Sequence, residues 1–329
     1  MNLDLFRNRN YYSSLIRKRG VLIIILIIIF YILFALYSDV YKFITHLQTI
    51  DLKLLVPILL SFSTTLFIKS IRQSFLLRQI NIRINFKENT IIFLKGLSMT
   101  VTPAGLGQMI KSHFLLKDYN QPISKTLPLV LVERYHDVLA LFSFIILLSI
   151  INTIIPMLTI PIVTIGIFLL MIMIMVRSDR ILKFFQNRFS KKIPLLKNLP
   201  ESSTSEFNSS LLLFFKRKGI IYGWLFSMAA WSFEAIGIFL CFKAFGLNVN
   251  FISSTVFGFS SVLFGAVSFL PGGAGLTEVI FVHILSSHGL ELSMATAVVI
   301  FYRLSSVWFS TAIGVIALKL FSEKNESRF

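Results

Sequence analysis

Charge is what this 329-residue chain has least of: Asp, Glu, Lys and Arg together make up 14% of it, against about a quarter in average soluble domains. With 55% hydrophobic residues and a mean hydropathy of +0.79, it carries more apolar surface than a water-soluble core can hide, which excludes an ordinary soluble fold. A single cysteine, Cys241, rules out an internal disulfide, and there is no C-x-x-C or Cys/His cluster to hold a metal or run redox chemistry. Acids are scarce too, at 15 against 32 Lys and Arg. The resulting +17 would suggest nucleic acid for a soluble protein, but basic residues beside apolar spans set orientation and touch anionic headgroups, so no nucleic-acid partner is expected. No H-x-x-x-H, D-D-x-x-D or G-x-S-x-G arrangement is present, so neither an enzyme nor a cofactor is expected.

What the chain does have is a series of apolar runs separated by basic stretches. Arg7, Arg9, Arg17, Lys18 and Arg19 precede an unbroken run from Val21 to Ser38, which is long enough to span and lacks a small-residue cleavage site, so it reads as a retained signal-anchor helix. A second span lies between Lys53 and Lys69. After it, Lys69, Arg72, Arg78, Arg83 and Lys87 interleave with Ile, Leu and Phe as in an amphipathic stretch on the membrane surface. The region from about Thr126 to Val176 suits two crossings broken at Asn152 and Pro156, and further helices are expected at 219–242 and 293–318. Placing the N-terminus, residues 69–125, the polar loop 177–218 and the tail on one side collects 27 of the 32 Lys and Arg there, which orients both termini to the cytoplasm.

That orientation constrains two segments, 91–117 and 251–290, which must each enter and leave the membrane on one side. Both are interrupted at the midpoint, by Thr102-Pro103-Ala104-Gly105-Leu106-Gly107 and by Leu270-Pro271-Gly272-Gly273-Ala274-Gly275. The expected fold is therefore an all-α polytopic membrane protein, one domain over 1–329, with about six full spans and two re-entrant helical hairpins. Superposing Pro103 on Pro271 matches Gly105 with Gly273 and Gly107 with Gly275, and Arg134 and Arg303 follow their prolines by 31 and 32 residues. The two copies, about 91–150 and 251–318, enter from opposite faces and form an inverted repeat. Broken half-helices in such repeats free backbone N–H groups that can hold an anion near the bilayer midplane.

Six ionisable residues fall inside the expected spans: Glu133, Arg134, Asp137, Glu234, Glu278 and Arg303. Each costs roughly 2.5–3.5 kcal/mol at a helix centre, so they should face one another or a wet cavity. Two readings coexist. In one they are internal salt bridges, Glu133 or Asp137 with Arg134 and Glu234 or Glu278 with Arg303. In the other, Arg134 and Arg303 draw a phosphate through the bilayer while the acids balance charge or accept protons. Gln108 and Lys111, with His113, follow the first break and can line its cavity. His136 reads as a packed residue, and His283 and His288 as interfacial.

These residues carry a resemblance. Thr102 to Gln108, Val132-Glu133-Arg134-x-x-Asp137, Leu270 to Gly275 with Glu278, and Arg303 resemble the transmembrane, flippase-like region of lysylphosphatidylglycerol synthases and its stand-alone prokaryotic relatives, over nearly the whole chain. The sequence departs from that pattern in the first motif, which in the family carries a basic residue and has a glutamate where Gln108 stands. The resemblance implies translocation of a polar, anionic or zwitterionic lipid or lipid-linked sugar between leaflets of the cell membrane. Pro103, Gly105, Gly107, Gln108, Lys111, Glu133, Arg134, Asp137, Glu234, Pro271, Gly272, Gly273, Gly275, Glu278 and Arg303 would line the path. Membrane lipids are the expected partners, with a glycosyltransferase or lipid-modifying enzyme as a further one. The alternative functions are an ion-coupled carrier of a soluble anion and a membrane partner subunit of a glycosyltransferase.

Overall fold

The computed structural model describes residues 25, 28–34, 36–102, 106–151, 166–167, 169–174, 201–268 and 270–322, and among these the secondary structure is helical, with no strand. Much of the first expected span, the Asn152–Pro156 break, the 177–200 part of the basic loop, and Pro103 and Gly105 of the first motif lie outside the described residues.

A short helix, α1 (Val40–Gln48), starts where the Asp39 carboxylate accepts the Lys42 N–H, a side-chain N-cap. The long helix α2 (Leu55–Gln79) follows a 3-10 turn capped by Asp51 and tolerates Pro57 because the N–H of a first-turn residue has no helical acceptor. Next come α3 (Phe86–Leu97), capped by Asn85, and α4 (Ile110–Tyr119), which stops at Asn120 in the left-handed region. The single turn α5 (Ile123–Thr126) leads into α6 (Pro128–Ile151). Beyond the undescribed loop are α7 (Glu201–Phe214), α8 (Arg217–Ala244), α9 (Phe251–Val267) and α10 (Leu276–Ser287). The chain ends in α11 (Leu292–Arg303), a π-helical segment Leu304–Trp308 and α12 (Phe309–Ser322).

Among the described residues, three helical stretches are long and apolar enough to cross a membrane: Leu52–Gln79, Arg217–Ala244 and Leu292–Phe321. At 1.5 Å per residue the first two reach about 42 Å, ample for a hydrocarbon core of about 30 Å. By contrast, α3 and α4 have 12 and 10 residues, about 18 and 15 Å, and neither crosses alone. Large apolar side chains such as Leu60, Ile174 and Leu320 remain exposed on the outer surface, as lipid-facing residues do. This is an integral membrane protein.

Packing is by small residues and interhelical hydrogen bonds rather than by large apolar ridges alone. Helices α2 and α8 share the most extensive interface: Thr65 Oγ1 donates to the Ala230 carbonyl at 3.1 Å, Ser61 to the Phe233 carbonyl, and the Phe62 ring lies where a Gly237 Cβ would be. Gly223 gives His136 of α6 its place against α8, and Gly314 lets α12 approach the backbone at Leu97 and Ser98.

Two expectations need correction. The second span does not end at Lys69; α2 continues through the basic residues to Gln79, and Arg72 is 1% exposed. A surface position fails because the polar partners of this face lie in the interior on α6 and α8. The 177–218 segment is not all loop either, since α7 occupies its last third and packs against α5, where Ser124 donates to Glu206.

The interruption between α9 and α10 is a glycine-dependent turn. Gly272, Gly273 and Gly275 have φ of +60°, +68° and +92°, a region that costs a side chain about 1–2 kcal/mol. An added Cβ at Gly275 would meet nothing within 4 Å, so Gly275→Ala isolates the backbone cost. We expect it to destabilise by about 1–2 kcal/mol, read as a lower melting temperature in detergent with folding retained.

Candidate functional site

Two charged centres occupy the interior. The first is built on α2, α4, α6 and α8. The Asp137 carboxylate on α6 receives Arg72 of α2, Nη1 donating to Oδ1 at 2.6 Å and Nη2 to Oδ2 at 3.5 Å, and the Trp231 indole N–H of α8 at 3.3 Å. Arg72 also donates to Ser227 on α8. Around the same carboxylate stand Lys69 Nζ at 4.0 Å and Arg134 Nη1 at 3.9 Å, too far for hydrogen bonds. One turn earlier on α6, Glu133 pairs with Lys111 of α4, whose ammonium also donates to Gln73 Oε1 at 3.0 Å. Gly96 on α3 leaves room for the aliphatic stem of Lys111.

The second centre joins the break before α10 to the last helix. Arg303 Nε donates to Glu278 Oε1 at 2.6 Å, and its Nη2 donates to the Gly272 carbonyl, also at 2.6 Å. Glu278 Oε2 accepts the Gly275 N–H at 2.7 Å, and Oε1 also accepts the Tyr31 hydroxyl at 2.9 Å, which is reached in turn by the Trp308 indole N–H at 3.3 Å. The π-helical segment immediately after Arg303 carries Trp308; such widened turns are frequent at functional sites.

The two interruptions meet. A Cβ built on Gly272 would lie 3.7 Å from Val101 Cα, in the turn that follows α3. That turn is held by Gly107 N–H donating to Thr102 Oγ1 at 2.6 Å and by Gln108 Nε2 donating to Thr100 Oγ1 at 2.9 Å. Gln108 Oε1 accepts Arg134 Nη2 at 2.8 Å. Each of the two arginines therefore contacts one interruption: Arg134 through Gln108, Arg303 through Gly272.

The expected ion pairs are partly reassigned. Arg303 with Glu278 forms. Glu133 is taken by Lys111, which is buried, and Asp137 by Arg72, leaving Arg134 at arm's length. Glu234 is buried on α8, accepts the Tyr302 hydroxyl at 3.2 Å, and has no salt bridge among the described residues. His113 is exposed, outside the cluster, and His136 is packed with both ring nitrogens unpartnered among the described residues. The residues sequence reading missed are Lys69, Arg72 and Trp231. Their signal was a polar stripe on α2, with Ser61, Thr65, Lys69 and Arg72 recurring every three to four residues along an otherwise apolar helix. Away from these centres, Lys42 and Glu291 form an exposed pair at 2.5 Å, and the hydrogen bond from Lys42 holds the Glu291 carboxyl below its ordinary range.

Comparison with known proteins shows the family. The family described as the lysylphosphatidylglycerol synthase TM region matches residues 21–314. The chain belongs to that family. Similar proteins include a UPF0104 membrane protein of Pyrococcus horikoshii, 23% identical over 91% of this chain and 96% of its own length. Another, from Methanothermobacter thermautotrophicus, is 24% identical over 77% of this chain and 80% of the relative. A third, from Methanocaldococcus jannaschii, is 25% identical over 66% of this chain and 91% of the relative. In this member of the lysylphosphatidylglycerol synthase TM family, the Glu133-Arg134-x-x-Asp137 cluster lies on one helix, α6, where it gathers cations from α2 and α4.

Proposed function

We propose that this protein moves a polar lipid headgroup between the leaflets of the cell membrane, along the seam where the two interrupted helix pairs touch. The pairs α3/α4 and α9/α10 are re-entrant hairpins of an inverted repeat, and both termini are cytoplasmic. The observation that carries the reading is the approach of Gly272 to Val101, with a buried arginine-bearing helix behind each interruption. Continuous apolar helices would have neither a reason to break at matched positions nor a means of satisfying the freed backbone groups, whereas a polar path needs both. The chemistry is non-covalent: fixed cations replace the water shed by a phosphate, and paired acids keep the empty path from carrying a large uncompensated charge.

Reconstitution with headgroup-labelled anionic phospholipid tests the proposal. Leaflet exchange is expected to exceed that of protein-free vesicles and to fall at least tenfold in Arg134→Gln. A rate equal to that of protein-free vesicles would count against it. Exchange of a soluble anion instead, with no lipid movement, would favour the carrier reading.

A further inference from the structure

We infer that Lys69 and Arg134 form a receptor for one phosphodiester monoanion. The inference rests on the translocation reading and names the headgroup chemistry it would serve. Three cations surround Asp137, yet only Arg72 hydrogen-bonds to it; the carboxylate's other donor is Trp231. Lys69 Nζ has no hydrogen-bond acceptor among the described residues and stands 4.5 Å over the Trp231 ring. Arg134 donates only through Nη2, to Gln108, and its Nε has no acceptor among the described residues. Donors left idle in a low-dielectric interior are costly unless a ligand fills them.

Exposure separates these two cations from the rest. The Lys69 and Arg134 side chains are 15% and 40% exposed, while those of Arg72 and Lys111 are 1% exposed and hydrogen-bonded to Asp137 and Glu133. Both reachable groups flank the same carboxylate, so one anion can accept from both.

Charge selects the class of anion. Lys69, Arg72, Lys111 and Arg134 face Glu133, Asp137 and Glu234, the last within electrostatic reach of Lys69, which leaves one formal positive charge over. A phosphodiester monoanion neutralises that surplus, and a dianion overshoots it. A zwitterionic headgroup would bring a second cation beside an ammonium and a guanidinium, which is repulsive. Arg303 takes no part, since Glu278 and the Gly272 carbonyl occupy it.

Because Lys69 lies over Trp231, the indole is a built-in reporter. In full-length protein carrying Trp224→Phe and Trp308→Phe, in maltoside micelles, Trp231 fluorescence is titrated with dihexanoylphosphatidylglycerol, dihexanoylphosphatidylcholine and inorganic phosphate. A saturable response is expected for the phosphatidylglycerol, at least tenfold tighter than for the phosphatidylcholine. Lys69→Gln and Arg134→Gln are each expected to weaken it tenfold or more and erase the preference, whereas Lys69→Arg retains it and Lys319→Gln has no effect. Equal affinity for the two lipids, or unchanged binding in both glutamine variants, overturns the inference. Inorganic phosphate binding as tightly as the lipid keeps the anion receptor but overturns a lipid as its source. Selective binding without leaflet exchange upholds the receptor and sinks translocation, and undiminished exchange in Lys69→Gln does the reverse.

Discussion

Arg303→Ala is expected to lower stability by about 3–5 kcal/mol, because it leaves the Glu278 carboxylate, 0% exposed, without its cation. The loss spreads across three parts of the chain. Glu278 caps the start of α10 through the Gly275 N–H and receives Tyr31 from the N-terminal region, while Arg303 itself closes the Gly272 carbonyl at the interruption. Removing the guanidinium leaves that carbonyl and the carboxylate both short of a donor. Replacing both partners in Glu278→Met/Arg303→Leu removes the buried charge altogether and is expected to cost less than either single change to alanine. Melting curves of the three variants in one detergent decide this. A double variant less stable than Arg303→Ala would mean that the pair stabilises by attraction rather than by mutual neutralisation.

Lys111→Met is expected to have a comparable effect, about 3–5 kcal/mol, with a different signature. Lys111 and Glu133 are each 1% exposed in the side chain, and Glu133 Oε1 already lacks a hydrogen-bond partner among the described residues. Methionine keeps the packing of the stem against Gly96 but strips Glu133 of its one salt-bridge partner among the described residues and Gln73 of a donor. Since α4 is a ten-residue helix fastened to α2 and α6 through this one ammonium, its amide protons should exchange much faster in the variant while those of α8 are unaffected. Glu133→Gln in the same background is expected to restore most of the loss. Uniform acceleration across α4 and α8 would show a global defect instead.

The interruptions, the matched arginines and the need of Arg303 for a carboxylate partner, Glu234 or Glu278, were legible in the sequence because each depends on local pattern: glycines at fixed offsets from a proline, and charges set in apolar helices. The first centre was not. Arg72 looks solvated when read among Arg78, Arg83 and Lys87, and what makes it an interior residue is Asp137, 65 positions away, and Ser227, 155 away. Helix α2 crosses as one unit because its neighbours offer acceptors along its whole inner face; composition alone ends it at the first lysine. Likewise, the adjacency of Glu133 and Arg134 suggests a pair, yet consecutive residues on a helix point about 100° apart, and the partners come from other helices. The arginines, equivalent in spacing, differ in surroundings: Arg303 is buried and bonded to Glu278 and the Gly272 carbonyl, while Arg134 is more exposed and its Nε has no acceptor among the described residues. Equal spacing from a proline sets each arginine behind an interruption without making the two side chains do the same work.

A cysteine pair at the meeting of the two interruptions tests the central claim most directly. In a Cys241→Ser background, Val101→Cys with Gly272→Cys brings the thiols within disulfide range, given the 3.7 Å approach of a Gly272 Cβ to Val101 Cα. Oxidation in reconstituted vesicles is expected to form an intramolecular disulfide that stops leaflet exchange of the labelled lipid, and reductant is expected to restore it. Failure of the pair to join, or lipid exchanging at the full rate with the bond closed, would contradict a path between the touching interruptions.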